Sequence, residues 1–375
     1  MLGLSRHPVL FLSRCGAIDG LQRQLLYLAT GLDRQRVPLT VAVNEPGPLR
    51  DALLARGIPS PVYRMSPWRS FFHRVNRYLD AHRLHKRARA EGIGLVHAHD
   101  VWRAEYARFI ARRLHIPYVV HVRGPLSRRD IHKHRLGLAD AVICIAQRYV
   151  DDLISAGLDA KRVLLIDDAV DLTLFAPAQA DPAFLRRNLD IEGARLVGLV
   201  GRVTPDKRVR ELLEIVAMLP PAIDPSARFL IIGEWENLDY RREIENTVAR
   251  LRLGSRVRFL ERFESQDIPK ILSGLDLLVT LAGGSVMFEA MAMRTPVLSV
   301  RADGRHSKHT VHDRTAWCVT TDQHAPVADA LAHLLGDAVL RRRLGEAGRA
   351  HVNQHLSSTA MIAKTEALYE SLLAR

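Results

Sequence analysis

The segment from Leu275 to Val300, LDLLVTLAGGSVMFEAMAMRTPVLSV, constrains the fold more than any other part of the chain. Its pattern predicts a buried strand, a glycine turn, a helix and a second buried strand, which together form a βαβ unit. Gly283 and Gly284 permit a tight turn, and Ser285 is expected to cap the following helix. Uncovered N–H groups at such a turn can hold an anion. Glu289, the lone acid one turn into the helix, either lies in solvent or bonds a ligand hydroxyl.

A second apolar strand, LVGLV at Leu196–Val200, is followed by the loop GRVTPDK. Gly201 frees the end of the strand, and the two cations after it, Arg202 and Lys207, suit a diphosphate. Arginine offers a planar fork to phosphate oxygens and lysine a point charge. The alternative is an ordinary basic surface loop, and the loop alone leaves both interpretations open.

Short apolar runs alternate with helical stretches along the rest of the chain, as they do in repeated βαβ units. The predicted strands are Val9–Leu12, Leu39–Val43, Leu95–His97, Tyr118–Val122, Ala141–Ile145, Val163–Ile166, Leu196–Val200, Phe229–Ile232, Val257–Phe259, Leu277–Val279 and Val297–Val300. Residues from about 325 onward are helical by composition. The pattern therefore predicts an α/β chain.

The two motifs, in this order, resemble the retaining family 4 glycosyltransferases, which have the GT-B fold. The resemblance covers nearly the whole chain, including VLFLSRCGAIDGLQRQLLYLATGL, LVHAHDVW, IPYVVHVRG and ADAVICIAQRYVDDLISAG in the first half and FLIIGEWE and VRFLERF in the second. It implies two Rossmann-like domains whose parallel sheets face a central cleft.

The resemblance also suggests how the chain divides. An acceptor-side domain is expected over residues 1–176, a linker with two prolines over 177–191, and a domain that binds the nucleotide sugar over 192–354. The C-terminal helix, about 355–375, is expected to pack back on the first domain.

Individual roles follow from matching this sequence to the family motifs. Arg202 and Lys207 match the cation pair that contacts the sugar donor's diphosphate and stabilises it as it leaves, so no metal is expected. Glu289 matches the second glutamate of a Glu-x7-Glu motif, which binds the ribose. The Gly-Gly-Ser turn matches backbone that approaches the phosphates and the transferred sugar. Gly20 matches a glycine loop that faces the phosphates or the acceptor.

The sequence departs from the family pattern at four places. Leu281 stands where the first motif glutamate belongs, and Asp167-Asp168-Ala169 replaces Pro-Asn-Gly. The usual His-Gly is Arg123-Gly124, while His121 shares a strand face with Arg123 and is either its substitute or a buried structural residue. The fourth departure is the loop RADGRHSKHTVHDRT, whose His306, Lys308, His309 and His312 either meet an anionic ligand or are solvated.

A formal net charge of +13 predicts anionic partners. Segment Ser66–Gly92 interleaves arginines with aromatic residues, so it either lies on an anionic membrane or packs its aromatic face on the sheet. Nucleic acid is not expected, because no zinc spacing or recognition-helix signature is present. The three cysteines have no metal-ligand spacing, which suggests reduced thiols in a cytoplasmic protein, peripheral at the inner face of the cell membrane if the segment binds lipid.

The sequence therefore predicts a hexosyltransferase-type glycosyltransferase that is retaining and needs neither a metal nor a cofactor. The sugar donor would be a nucleotide diphosphate sugar of unknown base, and the acceptor a glycan or lipid-linked sugar in lipopolysaccharide or surface polysaccharide synthesis. Two alternatives stay open: a nucleotide-sugar epimerase on the same fold, and a degenerate protein that binds a nucleotide sugar or a partner without turnover. Leu281 is the main argument for the second.

Overall fold

The computed structural model describes residues 7–13, 20–68, 70–220, 226–261, 263–302 and 307–374. The chain divides into two compact units. Unit 1 comprises Met1–Ala169 and Ser358–Arg375, and unit 2 comprises Val170–Ser357. Among the described residues, no helix combines the length and the apolar character that crossing a bilayer requires.

Unit 1 is a doubly covered parallel sheet. Its strands are β1 (Val9–Leu12), β2 (Leu39–Ala42), β3 (Leu95–Ala98), β4 (Tyr118–Val122), β5 (Ala141–Cys144) and β6 (Val163–Leu165). Its first helices are α1 (Gly20–Gly31), α2 (Pro48–Leu54), α3 (Arg74–Ala90), α4 (Ala104–Leu114), α5 (Arg128–Lys133) and α6 (Gln147–Ser155). The spatial order is β2-β1-β3-β4-β5-β6. Val9 and Phe11 face one core and Leu10 and Leu12 the other, which is why these strands are continuous apolar runs.

Unit 2 repeats this plan. Its strands are β7 (Leu196–Val200), β8 (Arg228–Ile232), β9 (Val257–Leu260), β10 (Leu277–Thr280), β11 (Val297–Val300) and β12 (Trp317–Val319). Its helices are α7 (Phe184–Leu189), α8 (Val209–Met218), α9 (Leu238–Arg250), α10 (Ile268–Gly274), α11 (Val286–Ala292), α12 (His324–Gly336) and α13 (Ala338–His355). The last helix, α14 (Ser358–Leu373), returns to unit 1 and contacts α1.

The strand order of unit 2 is β12-β11-β10-β7-β8-β9, all parallel. From β7 the chain moves outward to β9, then crosses back to place β10 on the other side of β7. Connections from β7 and β10 therefore leave in opposite directions. In open parallel sheets, ligands bind outside the carboxyl ends of the strands at such a switch point.

Residues 177–191 differ from the expected linker. They contain α7, whose Leu185 is buried in a core of unit 2, and Arg186 donates to Asp276 at 2.7 Å. The chain passes between the units at Ala169–Val170 instead. The polar composition and prolines of this segment concealed a short helix, because its order comes from tertiary contacts rather than from local periodicity.

Candidate functional site

The turn after β10 is fixed by one threonine. Gly283 N–H donates to Thr280 Oγ1 at 2.9 Å, and the same hydroxyl donates to the Gly283 carbonyl at 3.2 Å. Gly283 and Gly284 have φ of +73° and +126°, values that side-chain-bearing residues rarely adopt. The chain can therefore enter α11 sharply, directly beside the switch point between β7 and β10.

Ser285 lies at the start of α11 but does not cap it, so the predicted side-chain cap is wrong. Its backbone is already helical, with φ of −62° and ψ of −27°, and its hydroxyl makes no capping hydrogen bond. A capping residue needs an extended backbone to reach back to the first N–H groups. The glycine pair makes the change of direction one residue earlier, which removes that geometry.

The turn after β7 brings a cation to the glycine pair. A Cβ atom placed on Gly284 would lie 3.9 Å from Lys207 Nζ. Among the described residues, the carboxylate of Asp206 lies 3.9 Å from this ammonium and is itself well exposed. Arg202 sits at the same sheet edge with an exposed side chain and no ion pair within the described part of the chain. The loop after β7 and the glycine turn after β10, both predicted to belong to the site, are thus adjacent in unit 2.

Arg301 is a third cation at this turn, and sequence reasoning missed it. Its Nη1 donates to the Ala282 carbonyl at 3.3 Å and would lie 3.7 Å from a Cβ on Gly283. The register of the strand pairing could have predicted the position of Arg301. Thr280 pairs with Ser299 in the β10–β11 register, so Arg301 must emerge beside Ala282.

The two motif positions on this segment have different environments. Glu289 lies in the first turn of α11 and is largely buried, near the helix end where a negative charge is stabilised. Leu281, in contrast, is 3% exposed and packs in the same core as Leu277 and Val279. The position of the missing glutamate therefore belongs to the hydrophobic core.

In unit 1, Arg123 contacts an aspartate and two histidines at the carboxyl ends of β3 and β4. Its Nη1 lies 2.6 Å from Asp168 Oδ1, its Nε donates to the His99 carbonyl at 3.3 Å, and its Nη2 lies 3.3 Å from His121 Nδ1. The side chain is 7% exposed. Arg123 and Asp168 are two of the four departures from the family pattern, and here they form one ion pair.

Three buried histidines surround this arginine. His97, His99 and His121 each bring a ring nitrogen within 4.8 Å of the others, a spacing that a metal ion could use. However, Arg123 Nη2 lies 3.5 Å from His99 Nδ1 as well as near His121, and a guanidinium can only donate. A second cation would be repelled there, so this set is built around the arginine.

Burial keeps these imidazoles neutral. Together with the charge of Arg123, it lowers the pKa of His97 to about 3 and holds the pKa of both His99 and His121 well below the ordinary value. His97 Nδ1 lies 2.5 Å from the Tyr369 hydroxyl, which ties α14 to the cluster. His121 is therefore a buried, neutral imidazole beside Arg123.

A cavity of about 330 Å³ opens beside Arg123 and Gly124. Asp100, Asp130 and His134 contribute its polar lining. Gly20 starts α1 and is exposed, whereas residues 14–19 before it lie outside the described part of the chain.

The basic loop after β11 is partly engaged within unit 2. His309 Nδ1 lies 3.0 Å from His351 Nε2, and His312 Nδ1 accepts from the Cys318 N–H at 3.1 Å. His306 lies outside the described residues. These two histidines thus support local structure.

Two doubly wound parallel units, with a cationic glycine turn at the switch point of one, define the GT-B class of protein. Residues 18–174 match Glycosyltransferase Family 4, and residues 182–351 match Glycosyl transferases group 1. The chain belongs to the family 4 glycosyltransferases.

Curated relatives are similar over part of the chain. The D-inositol 3-phosphate glycosyltransferase of Salinispora tropica is 31% identical over 230 residues, which cover 57% of this chain and 47% of that protein. The alpha-D-kanosaminyltransferase of Streptomyces kanamyceticus is 28% identical over 287 residues, 70% of this chain and 73% of that protein. The chain spans about half the length of the first curated relatives it matches.

Solved structures share the fold. Anabaena Alr3699/HepE in complex with UDP-glucose has a TM-score of 0.83 at 21% identity, covering 97% of this chain and 100% of that one. WaaG, a glycosyltransferase involved in lipopolysaccharide biosynthesis, has a TM-score of 0.70 at 14% identity, covering 96% and 99%.

Proposed function

We propose that this protein transfers a sugar from a nucleotide diphosphate sugar to a glycan or lipid-linked acceptor, with retention and without a metal. The observation that carries the proposal is the approach of Lys207 to the turn at Gly284 in a family 4 chain. A glycine backbone and a cation at a switch point suit a diphosphate. Glu289, buried on the helix that follows, is the ribose ligand.

In the reaction, the bond from the sugar's anomeric carbon to the diphosphate oxygen breaks and negative charge grows on the departing diphosphate. Arg202 and Lys207 neutralise that charge, and Arg301 adds a third cation at the same turn. The acceptor oxygen bonds the carbon on the face that the leaving group vacates, and its proton passes to the departing phosphate. No protein base is then required. Removing one fixed charge-stabilising group of this kind slows a reaction by about 10²–10³.

The acceptor belongs to unit 1, where the cavity beside Arg123 offers both apolar and carboxylate lining. Asp100 and Asp130 suit sugar hydroxyls, because carboxylates only accept hydrogen bonds. Arg123 is engaged with Asp168, so it acts as a positioning residue for this wall. We assign Gly20, the first residue of α1, to the same acceptor side, because the next residue, Leu21, lines the cavity.

An anionic membrane surface is the proposed setting. The segment Ser66–Gly92 has two faces: Trp68 packs on Tyr106 at 4.9 Å, whereas Phe72, Val75 and Leu79 are 91%, 70% and 50% exposed. We call these three exposed residues the apolar strip. Exposed apolar side chains beside arginines favour an interfacial position. This supports a cytoplasmic, peripheral enzyme of lipopolysaccharide or surface polysaccharide synthesis.

Thermal unfolding with UDP, GDP, ADP, dTDP and CMP tests the site for the sugar donor. UDP comes first, because Alr3699/HepE has been solved with UDP and with UDP-glucose. A ligand at about 100 times its Kd stabilises the folded state by about 2.7 kcal/mol. One of the four nucleoside diphosphates should raise the melting temperature of the wild type. The variants Glu289→Gln and Lys207→Ala should lose that rise.

The matched control is Glu192→Ala, which removes an exposed carboxylate before β7. It should keep the full ligand-induced rise in melting temperature. If no diphosphate stabilises the wild type, or if Lys207→Ala responds like Glu192→Ala, the proposed site is wrong.

Leu281 favours a second candidate, a protein that binds the nucleotide sugar without turnover, because the family's first carboxylate has no counterpart at that position. Transfer of labelled sugar to extracted lipid-linked acceptors separates the two. Nucleotide binding without transfer from any sugar donor would favour the second candidate.

A further inference from the structure

A separate cavity of about 620 Å³ lies along the outer flank of α4 in unit 1. We call it the arginine pocket. Its charged lining is Arg77, Arg108, Arg112, Arg113, Arg135 and Glu105, and its aromatic lining is Trp68, Tyr78 and Phe109. It shares no lining residue with the cavity beside Arg123. The pocket is therefore a second site, distinct from the acceptor side proposed above.

The helix repeat explains why the charges converge. Along α4, Glu105, Arg108, Phe109, Arg112 and Arg113 fall at i, i+3, i+4, i+7 and i+8, so they share one face. The opposite face of α4 packs on the sheet, which leaves this flank to meet α3. The arginine pocket therefore lies between α3 and α4, where the two helices pack together.

The charge in the pocket is strongly unbalanced, with five guanidinium groups facing one carboxylate. Glu105 Oε2 lies 2.9 Å from Arg108 Nη2 and its Oε1 lies 3.8 Å from Arg135 Nε. Arg112 and Arg113 are exposed and have no carboxylate within ion-pair distance in the described part of the chain. Clustered like charges repel one another, and a bound anion relieves that repulsion.

Aromatic rings hold two of the guanidinium groups in place. The Arg113 guanidinium carbon lies 3.7 Å from the centroid of the Phe109 ring, and that of Arg77 lies 5.2 Å from the Tyr78 ring. Arg77 Nε is buried and has no hydrogen-bond partner among the described residues. Stacked arginines lose less freedom on binding, and an unsatisfied buried donor is stabilised by a ligand that accepts from it.

The ligand chemistry follows from these groups. Planar guanidinium forks match the paired oxygens of phosphate, and several forks suit a phosphomonoester or a diphosphate better than a single carboxylate. Tyr78 lines the pocket and is also half exposed, next to Leu79 of the apolar strip. We propose that the arginine pocket binds a phosphate or diphosphate ester, and that the adjoining strip favours one carried by a lipid.

Vesicle binding tests this inference without requiring sugar transfer. Binding is measured to phosphatidylcholine vesicles that contain a minority of phosphatidic acid, at constant ionic strength, with inorganic pyrophosphate as competitor. Arg112→Gln with Arg113→Gln should weaken binding at least about tenfold, because two charge-assisted contacts are lost. Both side chains are exposed, so the variant's melting temperature should match the wild type.

The matched control is Arg242→Gln with Arg250→Gln, which removes two exposed charges from α9 in unit 2. It should change binding by no more than about twofold. If vesicle binding weakens equally in the two double variants, or if pyrophosphate does not compete, the proposed phosphate site is wrong. General attraction between opposite charges would then explain the binding. If calorimetry detects pyrophosphate binding that depends on Arg112 and Arg113 while vesicles do not bind, the pocket stands and its ligand is a soluble ester.

Discussion

At the scale of single residues, Leu281 is where this chain departs most from its family. Because the side chain is packed with Leu277 and Val279, restoring glutamate would bury a carboxylate among apolar groups. Leu281→Glu should therefore lower the free energy of unfolding by roughly 3 kcal/mol or more, measured by urea titration. Leu281→Met, of similar volume, should cost less than about 1.5 kcal/mol. A stable Leu281→Glu variant that gained transfer activity would mean that this position faces the sugar donor.

Arg301 offers a second test at this scale. Its guanidinium contacts the Gly283 turn, so we expect Arg301→Gln to weaken binding of the stabilising nucleoside diphosphate roughly tenfold or more. Calorimetry measures the change. Arg294→Gln is the control, because that arginine pairs with Glu346 at 3.1 Å in unit 2 and is half exposed. Equal affinities in the two variants would remove Arg301 from the site.

Arg123 illustrates what sequence alone could and could not provide. The sequence identified Arg123 and Asp168 as separate departures, and only the fold brings them to 2.6 Å. Arg301 was missed for a related reason: its place beside Ala282 depends on strand pairing, not on a local motif. The turn at Gly283 and Gly284 was predictable, because its residues are contiguous in the sequence.

At the scale of secondary structure, the apolar strands were predictable and the marginal elements were not. The prediction of Leu196–Val200 for β7 is confirmed in full, and that for β10 is short by one residue. In contrast, β12 was missed, because Trp317–Val319 is a three-residue strand at the edge of the sheet and is only half buried. The helix α7 was likewise taken for a linker. A strand that is buried on both faces is a continuous apolar run, which is easily recognised in the sequence. Edge strands and partly exposed elements lack such a clear pattern.

The apolar strip yields the prediction that belongs to this scale. Replacing Phe72, Val75 and Leu79 together with serine should leave the melting temperature unchanged, because all three side chains are exposed in the folded chain. Sedimentation with anionic vesicles should fall at least about tenfold, because burying one such side chain is worth about 1.5–3 kcal/mol.

The control for the strip is the pair Leu238→Ser and Val339→Ser, which removes equally exposed apolar side chains from unit 2. Sedimentation of this control should match the wild type. A triple variant that still sediments would contradict the membrane proposal, and equal losses in strip and control variants would indicate nonspecific adsorption.

At the scale of the whole molecule, the buried histidines predict a loss of stability in mild acid. Burial lowers the pKa of His97 to about 3 and that of His351 to about 4, whereas an unfolded histidine titrates near its ordinary value of 6.5. Below pH 6.5 the unfolded chain therefore binds more protons than the folded chain. The free energy of unfolding should fall as the pH drops from about 6.5 toward 4, by up to about 1.36 kcal/mol per pH unit for each such group.

Urea titrations from pH 8 to pH 5 measure this dependence, and the two units can be examined separately. His97 lies in unit 1 and His351 in unit 2, so His97→Gln and His351→Gln should each flatten the pH dependence of one unit's unfolding. His132→Gln, at an exposed position on α5, should leave it unchanged. Stability that stays constant down to pH 5, or the same slope in all variants, would mean that these imidazoles take up protons in the folded state. The buried cluster around Arg123 would then have to open to solvent, because a charged imidazole beside that guanidinium is electrostatically unfavourable.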